Sequence, residues 1–167
     1  MGYNTDILLL VLGSMIMAAG VVLCFMSSRW AGAVTFAAMC LFRLSGWAMF
    51  ESGTLLFWGV ATAICLGTDV MLPPQVARSR AGVYHIAGGC LAGAFTGMCT
   101  NTSAGIIVGA VLGAFFGALA FANTKAGRPM HFPSGKFFNY LAAKGLPAVV
   151  VMSMTALVIL LIITPVK

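Results

Sequence analysis

The sequence predicts an all-α fold, a polytopic transmembrane helical bundle that contains a Gly-rich helical hairpin. Of the 167 residues 61% are hydrophobic and only 7% are charged, whereas an average soluble domain carries roughly 25% charged residues. The apolar residues form long unbroken runs, which are typical of membrane helices and not of the alternating strands of a barrel. Glycines also recur at a spacing of four in two successive runs, which predicts two closely packed helices.

Six apolar runs predict six helical spans in a single membrane domain that covers residues 1–167, since one crossing needs about 20 apolar residues. The second run is interrupted by Arg43 and by Ser45-Gly46. It is therefore either one tilted helix or a re-entrant pair of short segments. The predicted spans are residues 7–26, 31–50, 54–72, 83–99, 104–122 and 146–164.

The charged residues predict the topology. If the six spans alternate, Arg29 and the basic loops lie on one side, and Asp6 and Glu51 lie on the other. Cytoplasmic loops carry the excess of Lys and Arg, so both termini are expected outside; if residues 31–50 re-enter, the N-terminus moves inside. Residues 136–144 are predicted as a short amphipathic helix at the membrane surface. The predicted basic cytoplasmic loops contain Arg78, Arg80, Lys125, Arg128, Lys136 and Lys144.

The glycines of the fourth and fifth runs form a pattern called a glycine zipper. A period of four places the glycines of each helix in one stripe, and removal of side chains lets two backbones approach closely. The stripes would close an intramolecular hairpin, serve as the contact of an oligomer or pore, or belong to a soluble Gly/Ala-rich interior hairpin. The predicted packing residues are Gly89, Gly93, Gly97, Gly105, Gly109, Gly113 and Gly117.

Two charges are predicted within or near the membrane, where ionisable groups often mark function. Arg43 is either a snorkelling side chain near Glu51 or a member of a buried pair or ligand contact. Asp69, one turn from the end of the third span, either has a structural role, in an ion pair or as a cap for the next helix, or handles protons or cations. The sequence contains no nucleophile elbow, no zinc-protease motif and no cysteine–histidine cluster. We therefore expect no catalytic residues, no metal, no cofactor and no enzymatic activity.

A family resemblance follows from the order of these motifs. Asp69 near the end of a span, the basic turn Arg78–Gly82 and the stripe Gly89 to Gly117 resemble the bacterial membrane family called domain of unknown function 456. The resemblance covers most of residues 54–164. It implies a multi-pass protein of the bacterial cytoplasmic (inner) membrane, and it implies no particular activity.

Two functions fit this pattern better than a third, an intramembrane enzyme that acts on lipid, which has the least support. The first is transport or channel activity for a small solute, ion or lipid, which the charges at Arg43 and Asp69 favour. The second is a scaffold or accessory subunit that does not transport and that assembles through glycine-zipper packing. The expected partners are membrane lipids and either further copies of this chain or other membrane proteins. Nucleic acid is not expected, because the cations lie in short loops between spans.

Overall fold

The computed structural model describes residues 3–46, 51–71, 82–130 and 132–164, and every regular element in these ranges is helical. The predicted all-α bundle with a Gly-rich hairpin is therefore confirmed. The helices are α1 (Tyr3–Phe25), α2 (Ala31–Leu44), α3 (Ser52–Met71), α4 (Val83–Met98), α5 (Ser103–Ala122), α6 (Gly135–Tyr140) and α7 (Leu146–Ile163). A 3-10 turn (Arg128–Met130) follows α5, and a π-helical turn (Leu141–Gly145) joins α6 to α7.

The first three helices pack as antiparallel neighbours in chain order. Gly13 and Gly20 of α1 face Phe42 and Thr35 of α2, respectively. In the same way Gly32 of α2 faces Thr62 of α3. The polar hydroxyls in this layer are satisfied within their own helix, since Thr35 Oγ1 donates to the carbonyl of Ala31 over 2.9 Å. The buried hydroxyls of Thr35 and Thr62 are therefore both hydrogen-bonded.

Helices α4 and α5 form the most extensive pairing in the described chain. The turn between them contains Asn101, whose φ of 54° lies in the left-handed region that Asn tolerates. Thr102 caps the start of α5, because its hydroxyl accepts the backbone N–H of Gly105 over 3.1 Å. Four residues thus reverse the chain between the two helices and force them to lie antiparallel.

Helix α7 occupies the centre of the bundle and contacts each of α1 to α5. A helix that is apolar all round is expected to be buried, and Val151, Met152 and Met154 are at most 1% exposed. Ser153 in the same run is fully buried, and its Oγ has no hydrogen-bond partner within the described chain. This helix is the core against which the other helices pack.

Helix α2 is shorter than the predicted span at residues 31–50. It ends at Leu44, where the hydroxyl of Ser45 donates to the carbonyl of Phe42 over 2.7 Å and Gly46 adopts a positive φ of 74°. Its 14 residues rise about 21 Å, which is less than the roughly 30 Å of a hydrocarbon core. Residues 47–50 of the predicted span lie outside the described residues.

The last span differs from the prediction at its beginning. The predicted surface helix at residues 136–144 and the span at residues 146–164 are parts of one helical segment, Gly135–Ile163, of 29 residues. Pro147 would break an ordinary helix, because it lacks an N–H and its ring clashes with the carbonyl four residues earlier. The π-helical turn immediately before it widens the helix at that point, so the chain continues.

Within the described ranges, three helical segments are long and apolar enough to cross a membrane: Thr5–Phe25, Ser103–Ala122 and Gly135–Ile163. Two further apolar helices, Ala31–Leu44 and Ser52–Thr68, are shorter. Helix α4 contains many glycine and alanine residues, which are less hydrophobic than larger apolar residues. Its most extensive contact is with α5. The chain is built as a helical membrane protein.

Candidate functional site

The glycines of α4 and α5 meet backbone to backbone within one chain. A Cβ added to Gly93 would overlap the carbonyl oxygen of Gly109 and lie 3.1 Å from the Cα of Gly113. The same overlap recurs along the interface, because each of the other glycines faces a carbonyl group of the opposite helix. Gly105, at the start of α5, also faces the side chain of Thr100. The structure brings together all seven predicted packing residues: Gly89, Gly93, Gly97, Gly105, Gly109, Gly113 and Gly117.

The outward faces of this hairpin carry large side chains. Phe95, Val108 and Phe116 are 50–63% exposed. Both glycine stripes are therefore occupied by each other, and the surface that remains is apolar and bulky. Such a surface is what a lipid-facing helix presents.

Arg43 lies at the end of the bundle opposite the basic loops, on the last turn of α2. Its side chain is exposed, and Nη2 donates to the Ser52 hydroxyl at the start of α3 over 3.3 Å. The guanidinium therefore links the ends of two helices and is not enclosed in the bundle.

Three other predicted residues lie wholly or partly outside the described residues. The backbone at position 69 belongs to the last turn of α3, but the side chain of Asp69 lies outside the described residues. Arg78 and Arg80 fall in residues 72–81, which also lie outside them. The roles predicted for these residues stay predictions.

The described cations of the predicted cytoplasmic loops lie at one end of the bundle, which we call the basic end. Lys125 and Arg128 are exposed in the connection between α5 and α6, and Arg29 is exposed in the turn between α1 and α2. Lys136 is also exposed, but it lies on the first turn of α6 and not in a loop. Asp6 and Glu51 lie at the opposite end.

Lys144 was expected in a basic loop, and that expectation is wrong. It lies in the π-helical turn and is only 7% exposed, the one buried charged side chain among the described residues. Its Nζ donates a hydrogen bond of 2.5 Å to the hydroxyl of Ser27. Ser27 occupies the turn after α1 with a positive φ of 59°, so a strained backbone position presents the hydroxyl to the lysine.

Aromatic side chains close the bundle near Lys144. Tyr140, one turn earlier, is 1% exposed, and its ring stacks on Phe121 of α5 with centroids 5.4 Å apart. A Cβ on Gly82 would overlap the Tyr140 hydroxyl, so the residue before α4 has to be glycine for steric reasons as well as for its φ of 76°. His85 packs at 5.8 Å from the same Phe121 ring. These rings pack together at the end of α5, one helical turn from the lysine.

A signal for the burial of Lys144 was present in the sequence. Apolar positions continue at helical spacing on both sides of it, and all of them are buried: Phe137, Tyr140, Ala148 and Val151. This period of three and four places Lys144 on the inner face of one continuous helix. The polar composition of residues 123–145 concealed that pattern. No group of three or more His, Cys, Asp or Glu residues gathers anywhere in the described chain.

In comparisons with known proteins, no protein-family model, no curated protein and no solved structure matches the chain. The resemblance to the family called domain of unknown function 456 therefore stays a prediction from the motifs at Asp69, Arg78–Gly82 and the glycines. Fold and composition define the class of this chain: a small membrane protein of multiple helices, in which the described residues include a backbone-packed hairpin and a buried lysine.

Proposed function

We propose that the chain is a multi-pass transport or channel protein of the bacterial cytoplasmic membrane, acting on a small solute, ion or lipid. The observation that carries this proposal is the burial of Lys144. A charge held inside a membrane protein destabilises it by about 2.5–3.5 kcal/mol on insertion scales, and such charges commonly line ion or substrate pathways. A lysine that served only to fix topology would extend into water, as Lys125 and Lys136 do.

The second candidate, a scaffold that assembles through glycine stripes, has less support. Helices α4 and α5 use their stripes on each other, so these stripes are not available to a second protein. Small exposed residues do occur elsewhere, since a Cβ on Gly67 or Gly88 would meet nothing within 4 Å. A scaffold would have to use such isolated positions, which provide little close backbone contact.

Transport is tested in proteoliposomes by stopped-flow light scattering, which detects the movement of many different solutes across the same membrane. The probes are potassium chloride, potassium phosphate and glycerol, and a fluorescent phospholipid tests lipid movement separately. We expect at least one probe to cross faster than in empty liposomes, and we expect Lys144→Met to reduce that rate. Lys136→Met is the matched control, because Lys136 is an exposed cation at the same end. Rates equal to those of empty liposomes for every probe would contradict transport.

The proposed orientation places the basic end in the cytoplasm. It is tested by accessibility labelling of single cysteines introduced into a cysteine-free chain at Lys125, Arg128 and Glu51. Cysteines at positions 125 and 128 should react only from the cytoplasmic side, and a cysteine at position 51 only from the outside. Labelling of positions 125 and 128 from the outside would reverse the orientation.

A further inference from the structure

We infer that the connection between α5 and α6 is a binding surface for anionic phospholipids of the membrane. The feature that carries this inference is a group of phenylalanine rings at the basic end, which we call the phenyl cluster, together with the cations of the same connection. The inference is independent of transport, because it requires no solute to cross the membrane. The rings of the phenyl cluster belong to Phe115, Phe116, Phe132, Phe137 and Phe138.

The connection begins as a tight turn against the end of α5. Thr124 Oγ1 donates to the carbonyl of Phe121 over 2.7 Å and accepts the backbone N–H of Gly127 over 3.2 Å. A Cβ on Gly127 would overlap the Phe121 carbonyl oxygen and lie 2.8 Å from the Cα of Ala122, so the turn touches the helix end itself. Arg128, the next residue, is exposed. It therefore lies level with the end of the α5 span, where the headgroup region of a bilayer begins.

The chain then returns along α5 toward the hydrocarbon core. The ring of Phe132 lies 5.8 Å from that of Phe115, in an edge-to-face contact. Phe115 precedes the end of α5 at Ala122 by seven residues, which corresponds to roughly 10 Å along the helix. Phe132 therefore lies at the depth of lipid acyl chains, whereas Arg128 lies at their boundary with water.

Three rings of the phenyl cluster face outward. Phe116, Phe132 and Phe138 are 63%, 50% and 52% exposed, and Phe137 next to them is fully buried. Phe137 fixes the cluster, because its ring lies 5.4–6.0 Å from the rings of Phe115, Phe132 and Phe138. Contiguous exposed apolar surface of this kind marks a contact with a membrane or another protein. At the depth of Phe132 it matches lipid chains.

The charges of the connection select an anionic lipid. Lys125, Arg128 and Lys136 are exposed, and the sequence contains no Asp or Glu after position 69. These cations therefore have no carboxylate in their own half of the sequence. The guanidinium of arginine presents several donors in a geometry that suits phosphate. A phospholipid with a negative headgroup would place its phosphate at the cations and its acyl chains on the rings.

The affinity test measures binding of phosphatidylglycerol and phosphatidylcholine to the delipidated full-length protein by native mass spectrometry. We expect phosphatidylglycerol to bind at least about fivefold more tightly, the effect of one cation near an anionic headgroup. Arg128→Gln and Lys136→Gln should each weaken phosphatidylglycerol binding by about fivefold and leave phosphatidylcholine binding unchanged. The matched control is Arg29→Gln, because Arg29 is an exposed cation at the same end but in another turn. It should change the affinity little.

The depth of the phenyl cluster is tested with a spin label in proteoliposomes that contain both lipids. The label is attached to Phe132→Cys or to Ala126→Cys in a cysteine-free chain, and Ala126 is the matched position because it is exposed in the same connection. The label at position 132 should respond mainly to oxygen, which concentrates among acyl chains. The label at position 126 should respond mainly to a water-soluble nickel complex.

Four results would overturn the lipid-binding surface. They are equal affinity for the two lipids, unchanged affinity for phosphatidylglycerol in both Arg128→Gln and Lys136→Gln, an equally large loss in Arg29→Gln, and equal access of the nickel complex to positions 132 and 126. A label at position 132 that neither oxygen nor nickel reaches would mean that protein covers the rings, and it would overturn the surface as well. None of these measurements depends on flux, so the transport proposal stands or falls separately.

Discussion

The α4–α5 hairpin and the α1–α2 hairpin are both packed through glycines, yet their glycines meet different kinds of atoms. In the hairpin of α4 and α5, each glycine that faces the other helix lies against backbone carbonyl groups. In the hairpin of α1 and α2, Gly13 and Gly20 lie against the side chains of Phe42 and Thr35. A backbone cannot move aside without shifting its helix, whereas a side chain can adjust. The same residue type should therefore tolerate substitution in one hairpin and not in the other.

The largest effect is expected from leucine at the middle of the α4–α5 interface. Gly93→Leu and Gly109→Leu would each force a full side chain between two backbones. Overpacking of a tight core destabilises a protein by typically about 1–3 kcal/mol, and here the neighbouring backbone has no room to relax. We expect loss of stable expression, measured by detergent extraction and size-exclusion chromatography.

The matched control for these variants is Val111→Leu, because Val111 is 49% exposed on the outer face of α5. Ile106 also lies off the stripe, but it is fully buried and would not be a neutral position. Expression of Gly93→Leu and Gly109→Leu at the level of Val111→Leu would show that the two helices do not pack through their glycines.

An intermediate effect is expected at Gly20 of α1. A Cβ there would overlap Thr35 Oγ1 and lie 3.2 Å from the Thr35 backbone nitrogen. We expect Gly20→Ala to lower the melting temperature, and Thr35→Ala in the same chain to recover most of the loss, because it removes the overlapping hydroxyl. If the double variant is no more stable than Gly20→Ala, the obstacle is the backbone, and the two hairpins do not differ in the way described.

The smallest effect is expected at Gly13. A Cβ there would lie 3.4 Å from the ring of Phe42, which is close to ordinary van der Waals contact. Alanine in a helix interior is favoured over glycine by about 1 kcal/mol, and this gain should offset slight crowding. Gly13→Ala should therefore melt within a few degrees of the parent protein. A loss as large as that of Gly20→Ala would mean that the aromatic ring is as rigid as a backbone.

The sequence predicted the α4–α5 hairpin well and the buried lysine poorly, for one physical reason. The glycine pattern is local, because four-residue spacing within each helix and a short turn at Thr102 nearly determine how the two helices meet. The burial of Lys144 depends on contacts that are distant in sequence, such as those with Ser27 and with the rings around Phe121. Local composition places Lys144 in a polar connection, and only the continuation of α7 through the π-helical turn brings it inside.

The end of α2 was predicted only in part from the sequence. The apolar run after Ala31 continues past Leu44, so composition alone predicts a longer helix. The helix ends because Ser45 bonds back to Phe42 and Gly46 takes a left-handed backbone conformation. The Ser-Gly pair signalled an interruption, but it did not distinguish a kink from a helix end.

The most direct test of the backbone-packed hairpin compares two neighbouring glycines on the same helix. A Cβ on Gly89 would overlap the carbonyl oxygen of Gly113 and lie 3.2 Å from the Cα of Gly117, whereas a Cβ on Gly88 would meet nothing within 4 Å. The measurement is the melting temperature of Gly88→Ala and of Gly89→Ala in detergent. Gly88→Ala should melt at or above the temperature of the parent protein, because alanine favours the helix. Gly89→Ala should melt well below it, and equal melting temperatures for the two variants would contradict backbone contact between α4 and α5.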